Sequence, residues 1–272
     1  MAVALAPFLA NIARHSQPER LAQLPRHSLT ASMECRRRLS SGITALDAII
    51  GGGIARGRVS EIVGRYGTGR TSLAAAFVAA ATCGGEATAW IDSANAFAPH
   101  NLTAAGADLS RILWVGAEGV SSSRDHRSAV NAFKAAEMVL SAGGFGLVVL
   151  DLPPETVGLE CRVLRLARAA ERSGAAVLVT ATRRTCGTFA ALSLVLGHAQ
   201  PTFSRTAPGA PMLFDGIRVE AYVARNKLGG SGHRAAWLIP VDPMCAAAPV
   251  PAAQKTRRAR STGRKGLAVN AA

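Results

Sequence analysis

One stretch, residues 58–73, constrains the fold more than any other part of the chain, because a strand, a glycine-rich turn and a helix follow one another within it. Val59–Val63 is a short run of β-type residues, and a run of good helix formers begins at Leu73. The turn between them holds Gly64, Gly67 and Gly69. In this context the pattern G-x-x-x-x-G-K-[S/T] is meaningful, since glycines let backbone N–H groups crowd around a phosphate at a helix N-terminus.

The turn departs from that pattern at one position. Arg70 stands in place of the lysine, so a wide planar guanidinium replaces a compact ammonium. Thr71 occupies the position of the hydroxyl that binds magnesium in such loops. An ordinary strand–helix turn is the alternative interpretation. The candidate nucleotide-binding residues of this stretch are Gly64, Gly67, Gly69, Arg70, Thr71 and Ser72.

Short apolar strands alternate with helical patterns along the chain that follows. Gly146–Asp151 has the pattern of a buried strand that ends in a carboxylate, as in a Walker B motif, so Asp151 joins Thr71 as a candidate magnesium ligand. This alternation predicts an α/β fold with a mostly parallel central sheet flanked by helices. The other predicted elements are helices at 127–141 and 159–170 and strands at 175–180, 217–224 and 234–240.

Three segments are predicted from the pattern of composition. Residues 1–38 form a helical extension with one apolar stripe, which packs either on its own domain or on a neighbouring protein. Residues 39–242 form the core. Residues 243–272 contain no acidic residue and are rich in Ala, Gly, Pro, Ser and Thr, which predicts a disordered basic tail. The apolar stripe consists of Leu5, Phe8, Leu9 and Ile12.

The charge of the chain indicates its partners. A formal net charge of +14 favours an anionic partner such as DNA, RNA or an acidic protein, although a general excess of Arg and Ala is the alternative explanation. The cluster Arg36–Arg38 is most simply a solvated basic face. Five scattered cysteines without a C-x-x-C motif fit reduced thiols, so a cytoplasmic location is expected. No apolar run reaches the roughly 18 residues that a membrane span needs.

Several motifs together resemble one known family. The chain leads into the first strand through Leu39–Asp47 and Gly51–Gly57, and three later stretches of interest are Trp90–Pro99, Gly106–Leu113 and Val223–Leu228. The first two stretches resemble the start of the RecA-type recombinase core, and the likeness continues in the later three. The resemblance covers about residues 39–241 and implies a RecA-like phosphate-loop core, binding of ATP with Mg²⁺, and binding of DNA.

Three positions that the resemblance assigns to ATP chemistry have changed. Ala94 replaces the glutamate that positions water, Asn101 the tyrosine that stacks on adenine, and Thr182 the sensor glutamine. Losing a positioned general base alone lowers a rate by about 10²–10⁴. We therefore expect ATP hydrolysis to be absent or very weak, and any binding of ATP and Mg²⁺ to be weak.

The resemblance also indicates contact residues. Arg225 and Lys227 match a basic pair that reaches across a subunit interface to the ATP of a neighbour. The spacing from Asp151 to Ala181 omits the first DNA loop of the family. The second loop region, Arg183 to about Met212, differs in sequence and is interpreted either as a basic loop near DNA or as a solvated loop. The candidate DNA-binding residues are Arg183, Arg184, Lys255, Arg257, Arg258 and Arg260.

The shortened core, the altered ATP residues and the basic tail together resemble the ImuA group. These are RecA-like accessory proteins of bacterial DNA damage tolerance that act in the SOS response and translesion synthesis with ImuB, a polymerase-like adaptor. The resemblance implies contacts with DNA and with an ImuB-like adaptor or RecA. The alternative is an active DNA-dependent ATPase that forms or remodels nucleoprotein filaments. An unrelated phosphate-loop regulator is the third interpretation.

Overall fold

Short apolar runs form one nine-stranded sheet in the part of the chain that the computed structural model describes, residues 37–93, 97–116, 126–153, 159–205, 207, 209 and 211–240. Two further short strands pair antiparallel beside it. This pair consists of β1 (Arg38–Leu39) and β2 (Ile54–Ala55). The nine strands are β3 (Val59–Val63), β4 (Ala87–Asp92), β5 (Ile112–Gly116), β6 (Phe145–Asp151), β7 (Ala176–Ala181), β8 (Leu192–Leu196), β9 (Gln200–Ser204), β10 (Leu213–Asn226) and β11 (Arg234–Pro240).

The sheet is mostly parallel, as the alternation of strands and helices predicts. Its order is β11-β10-β8-β3-β7-β6-β4-β5, and β9 pairs with the first part of β10. The strands from β8 to β5 run parallel, whereas β9, β10 and β11 pair antiparallel. Every residue of β3, β4 and β7 is buried, so these runs are mainly apolar and their few polar residues, such as Glu61, are buried as well.

Helices cover both faces of the sheet. The three helices that come first in the chain pack on one face, around Phe77 and Trp90. The remaining two helices pack on the other face, around Phe133. Two 3₁₀ turns lie at Leu109–Arg111 and Gly187–Phe189. The helices are α1 (Thr44–Ile50), α2 (Arg70–Cys83), α3 (Pro99–Ala104), α4 (His126–Ala142) and α5 (Glu160–Ser173).

The parallel strands define two edges of the sheet with different chemistry. At the edge where they end, Asp92 pairs in register with Asp151, and Asp151 with Thr180. Val63, the last residue before the glycine-rich turn, pairs with Ala181 at the same edge. Loops that follow parallel strands meet at this carboxyl edge, so it is the expected place for a ligand. The amino edge, where the strands begin, lies at the other end of the sheet.

The connection from β7 to β8 corrects one sequence interpretation. Treating the region from Arg183 to about Met212 as a loop was wrong, because Leu192–Leu196 forms the buried strand β8 and Gln200–Ser204 forms β9. The apolar run of β8 is buried between β3 and β10. The chain returns from the carboxyl edge to the amino edge through residues 182–191, which hold only a 3₁₀ turn.

A buried carboxylate holds this short connection in place. Glu61 of β3 is fully buried, and its Oε1 accepts hydrogen bonds from the backbone N–H groups of Thr185 and Cys186, the second at 2.8 Å. Its Oε2 accepts a hydrogen bond from the Ser193 hydroxyl at 3.1 Å. Three donors therefore compensate the cost of burying this charge.

The predicted ends of the chain lie outside the described residues. The structure describes neither the apolar stripe of the N-terminal extension nor the basic residues of the C-terminal tail. The segment boundaries after residues 38 and 242 therefore stay predictions. None of the helices within the described ranges is long and apolar enough to cross a membrane.

Candidate phosphate-binding site

The glycine-rich turn connects β3 to α2 at the carboxyl edge; residues 64–72 are called the phosphate loop below. Gly64 donates its N–H to the Ala181 carbonyl at 3.1 Å, which ties the start of the loop to β7. The Thr68 hydroxyl donates to the Arg65 carbonyl at 2.7 Å. A Cβ at position 64 would lie 2.4 Å from the Thr68 Oγ1, so any larger residue would displace Thr68 from its hydrogen bond.

Gly69 is the loop residue that directly precedes α2. Its φ of +85° lies in the left-handed region, which an L side chain rarely adopts. A Cβ there would also lie 2.9 Å from Val219 Cγ2 and 3.2 Å from Ile239 Cδ1. The paired strands β10 and β11 therefore lie directly against the loop.

Arg70 folds back over the loop. Its Nη1 donates to the Gly64 carbonyl at 2.9 Å, and its guanidinium carbon lies 5.9 Å from the centroid of the Tyr66 ring. Its Nε is buried and has no hydrogen-bond partner among the described residues. The guanidinium thus binds the loop itself, and its charge also acts on the nearby carboxylate of Asp151.

The cavity at the loop is small. Its volume is about 220 Å³, below the roughly 300–1,000 Å³ of typical small-molecule sites. One wall is apolar and comes from β10 and β11, at positions that the sequence analysis did not single out. Such a volume suits a phosphate group better than a complete nucleotide. The lining residues are Arg65, Tyr66, Gly67, Gly69, Arg70, Thr71, Ser72, Ile217 and Ile239.

Asp151 lies beside the loop at the end of β6. It accepts a hydrogen bond from the Thr180 hydroxyl. Burial raises the pKa of Asp151 above its usual range; the Thr180 hydrogen bond and the charge of Arg70 oppose this rise, and the charge of Asp92 adds to it. A bound cation would favour the ionised form of the carboxylate.

The residues of this edge fit a magnesium ion held together with phosphate. Thr71 is exposed at the first turn of α2, and Asp151 supplies a carboxylate, so both are oxygen donors of the kind that Mg²⁺ prefers. Within the described part of the chain, no group of three or more His, Cys, Asp or Glu side chains could hold a metal by itself. Phosphate oxygens and water would therefore complete the coordination of an ion held by Thr71 and Asp151.

The three positions at which the sequence departs from the ATP-site residues of the family lie in different places. Ala94 lies outside the described residues. Asn101 is an exposed residue of α3 and does not line the cavity at the loop. Thr182 directly follows β7 at the carboxyl edge. The nearby Asp92 is buried, and its Oδ2 accepts a hydrogen bond from the Phe97 N–H at 2.7 Å.

The predicted interface pair lies at the amino edge. Arg225 pairs in register with Ser193 near the start of β8, and the Lys227 N–H bonds the Ala191 carbonyl. Their side chains donate to the carbonyls of Gly187 and Thr188 in the 3₁₀ turn. The pair is thus remote from the phosphate loop of its own chain, and a role at a neighbouring subunit stays a prediction.

The candidate DNA-binding arginines are only partly described. Arg183 and Arg184 are exposed and follow β7 at the carboxyl edge, close to Thr185, which Glu61 binds. The tail candidates Lys255, Arg257, Arg258 and Arg260 lie outside the described residues.

Comparison with known proteins assigns the family. The model of the RecA N-terminal domain matches residues 5–156, which is more than half of the chain. The chain belongs to the RecA family. The matched residues include the phosphate loop with Arg70 and the strand that ends at Asp151, so these are the RecA-family positions of this chain.

Individual RecA proteins match a smaller part. The chain is 34% identical over 114 residues to Protein RecA of Chlorobium chlorochromatii, which covers 42% of this chain and 30% of that protein. It is 34% identical over 116 residues to Protein RecA of Lactobacillus delbrueckii subsp. bulgaricus, which covers 41% of this chain and 31% of that protein. It is 39% identical over 75 residues to Protein RecA of Arthrospira platensis, which covers 28% of this chain and 20% of that protein. The matched segments thus span less than a third of the length of these relatives.

Proposed function

We propose that this RecA-family chain is a catalytically degenerate accessory protein of bacterial DNA damage tolerance, similar to the ImuA group. It would act by contacting DNA and other proteins, without ATP turnover. The observation that carries the proposal is the position of Arg70. Its guanidinium bonds the Gly64 carbonyl inside the phosphate loop, where a RecA-type ATPase needs a compact cation on the nucleotide phosphates.

Two further features support loss of turnover. Ala94 has no group that could position or deprotonate water. Asp92, the nearest carboxylate in sequence among the described residues, is buried and already accepts a backbone hydrogen bond, so it is poorly placed to act as a substitute base.

Phosphate binding remains compatible with the site. The loop glycines, Thr71 and Asp151 would hold phosphate oxygens and Mg²⁺, while the small cavity and the exposed Asn101 offer little for a base. ATP and GTP should therefore bind weakly and with similar affinity.

The proposed partners follow from charge and from the family resemblance. The exposed Arg183 and Arg184 and the basic tail would contact DNA phosphates without sequence preference. An ImuB-like adaptor or RecA is the proposed protein partner, and translesion synthesis during the SOS response is the proposed context.

The rate of ATP hydrolysis tests the proposal. The purified chain should hydrolyse ATP no faster than a Thr71→Ala, Asp151→Ala variant, with or without single-stranded DNA. Arg70→Lys should strengthen ATP binding by about tenfold or more, because it removes the charged hydrogen bond to Gly64 that competes with the ligand. It should not restore turnover, since Ala94 is unchanged.

An active DNA-dependent ATPase is the second candidate, and the retained Thr71 and Asp151 favour it. DNA-stimulated hydrolysis that disappears in the Thr71→Ala, Asp151→Ala variant would replace the accessory role with this activity.

A further inference from the structure

A second and larger cavity lies at the amino edge of the sheet, whereas the phosphate loop lies at the carboxyl edge. Its volume is about 1,080 Å³. Arg58 immediately precedes β3, and Gly174 ends α5 shortly before β7, which places both at this edge. We call this cavity the arginine cleft. It is lined by Arg37, Arg38, Gly51, Gly52, Ala55, Arg56, Gly57, Arg58, Glu171, Gly174 and Leu228.

Two arginines of the cleft already bind carboxylates. Arg56 holds Glu86 through two hydrogen bonds of 2.6 and 2.8 Å, so its charge is compensated. Arg58 lies 3.2 Å from a Glu171 oxygen, and the two side chains are 53% and 60% exposed. Such an exposed pair is weak and leaves Arg58 available to another anion.

The other two arginines have no carboxylate partner among the described residues. The sequence placed Arg38 on a solvated basic face, but the side chain is half-buried. Its Nη1 donates to the carbonyls of Ile50 and Gly53 at 3.0 and 3.1 Å, and its Nη2 donates to the Leu228 carbonyl at 3.4 Å. These bonds fix the guanidinium in place, which lowers the entropic cost of binding a ligand. Arg37 is exposed beside it.

The lining therefore carries an excess of positive charge with an apolar component. Of the four guanidinium groups in the lining, that of Arg56 is compensated by Glu86 and that of Arg58 pairs with Glu171, so two positive charges have no carboxylate partner among the described residues. Leu228, also in the lining, is 52% exposed. None of the described lining residues is aromatic, whereas sites for single-stranded nucleic acid commonly stack bases on aromatic rings. Guanidinium groups bind carboxylates and phosphates alike, so the exposed Leu228 and the lack of aromatic rings in the described lining are what favour a peptide over nucleic acid.

We propose that the arginine cleft binds an acidic peptide segment of a partner protein. Carboxylates of the segment would pair with Arg37, Arg38 and Arg58, and an apolar side chain beside them would pack on Leu228. Arginine suits this role because its planar fork binds a carboxylate through two parallel hydrogen bonds. The site is independent of nucleotide chemistry, since it lies at the opposite edge of the sheet.

Fluorescence anisotropy with a short labelled peptide of alternating glutamate and leucine tests the proposal on the full chain. An Arg37→Ser, Arg58→Ser variant should bind the peptide about tenfold more weakly, since each exposed ion pair contributes about two- to fivefold. The control is Arg183→Ser, Arg184→Ser, which removes the same charge at the opposite edge and should leave the affinity nearly unchanged. A peptide of glutamine and leucine should not bind.

A second variant gives a change in the opposite direction. Glu171→Gln frees Arg58 and removes the carboxylate of the lining, so the affinity for the acidic peptide should rise about twofold or more. A gain of this kind cannot come from misfolding.

Two results would overturn the proposal. Equal losses in the cleft variant and the control variant would show that the peptide responds only to total charge. An oligothymidine that displaces the peptide, and whose own binding is lost in the cleft variant, would assign the cleft to nucleic acid instead.

Discussion

At the scale of single residues, Arg70 contacts the loop that contains it. A lysine ammonium is a point charge that depends on the ligand for its partner, whereas the arginine fork reaches the Gly64 carbonyl and the Tyr66 ring at the same time. The loop keeps its glycines and the Thr71 hydroxyl, and the proposed loss of ATP turnover rests on this position of the guanidinium.

The raised pKa of Asp151 predicts how the stability of the chain depends on pH. Burial raises the pKa of Asp151 in the folded chain, so its contribution to stability is fully present below the unfolded pKa of about 3.9 and is lost as the pH rises through the folded pKa. Asp151→Asn should therefore raise the free energy of unfolding at pH 7, and the gain should shrink towards pH 4. Urea denaturation at both pH values measures it.

Asp108 provides a control of opposite sign. A hydrogen bond from the Ser110 side chain lowers the pKa of Asp108, so the stability that it contributes is present above the unfolded pKa and is lost as the pH falls. Asp108→Asn should lower stability at pH 7. If both variants shifted stability in the same direction, the assignment of a buried, destabilised charge to Asp151 would be wrong.

The burial of Cys186 predicts that its thiol reacts slowly with alkylating reagents. It is buried, and burial together with the neighbouring Glu61 raises the pKa of its thiol well above the ordinary value. Because the thiolate is the reactive form, iodoacetamide at neutral pH should modify the exposed Cys83 and Cys161 and leave Cys186 intact until the chain unfolds. Peptide mapping by mass spectrometry checks this, and modification of native Cys186 at the rate of Cys161 would contradict it.

At the scale of elements, the connection between β7 and β8 depends on Glu61. Glu61→Leu leaves the N–H groups of Thr185 and Cys186 and the Ser193 hydroxyl without their acceptor, so the free energy of unfolding should fall by about 2–5 kcal/mol. Glu61→Gln keeps an oxygen for the two N–H groups and should cost clearly less.

Denaturation with urea compares these two variants. Similar losses in both would mean that the negative charge, and not the set of hydrogen bonds, stabilises the connection.

At the scale of the whole molecule, charge and its distribution decide the proposed contact with DNA. If four to six residues of the tail bind phosphates of duplex DNA, the logarithm of the binding constant should fall with the logarithm of salt concentration at a slope of roughly −0.9 per contact. Deletion of residues 246–272 should flatten that slope and weaken binding to all sequences alike. Titrations at several salt concentrations measure this, and an unchanged slope would exclude the tail from DNA binding.

The sequence by itself determined the α/β pattern, the mostly parallel sheet, the phosphate loop and the position of Asp151 at the end of a strand. These features are local, because the period of apolar residues, the glycines of a turn and the end of a strand are all set by neighbours in the chain. The strand β8 shows the limit, since its four apolar residues and Ser193 lie in a stretch that the sequence pattern predicts to be a loop.

Only the tertiary structure decided what surrounds these features. The bond from Arg70 to Gly64, the wall that Ile217 and Ile239 form at the loop, and the contacts of Glu61 with residues more than 120 positions away depend on which strands adjoin and in which register. The arginine cleft arises in the same way, because separate segments meet at the amino edge. Such contacts are set by packing across the whole sheet, and no local pattern of residues encodes them.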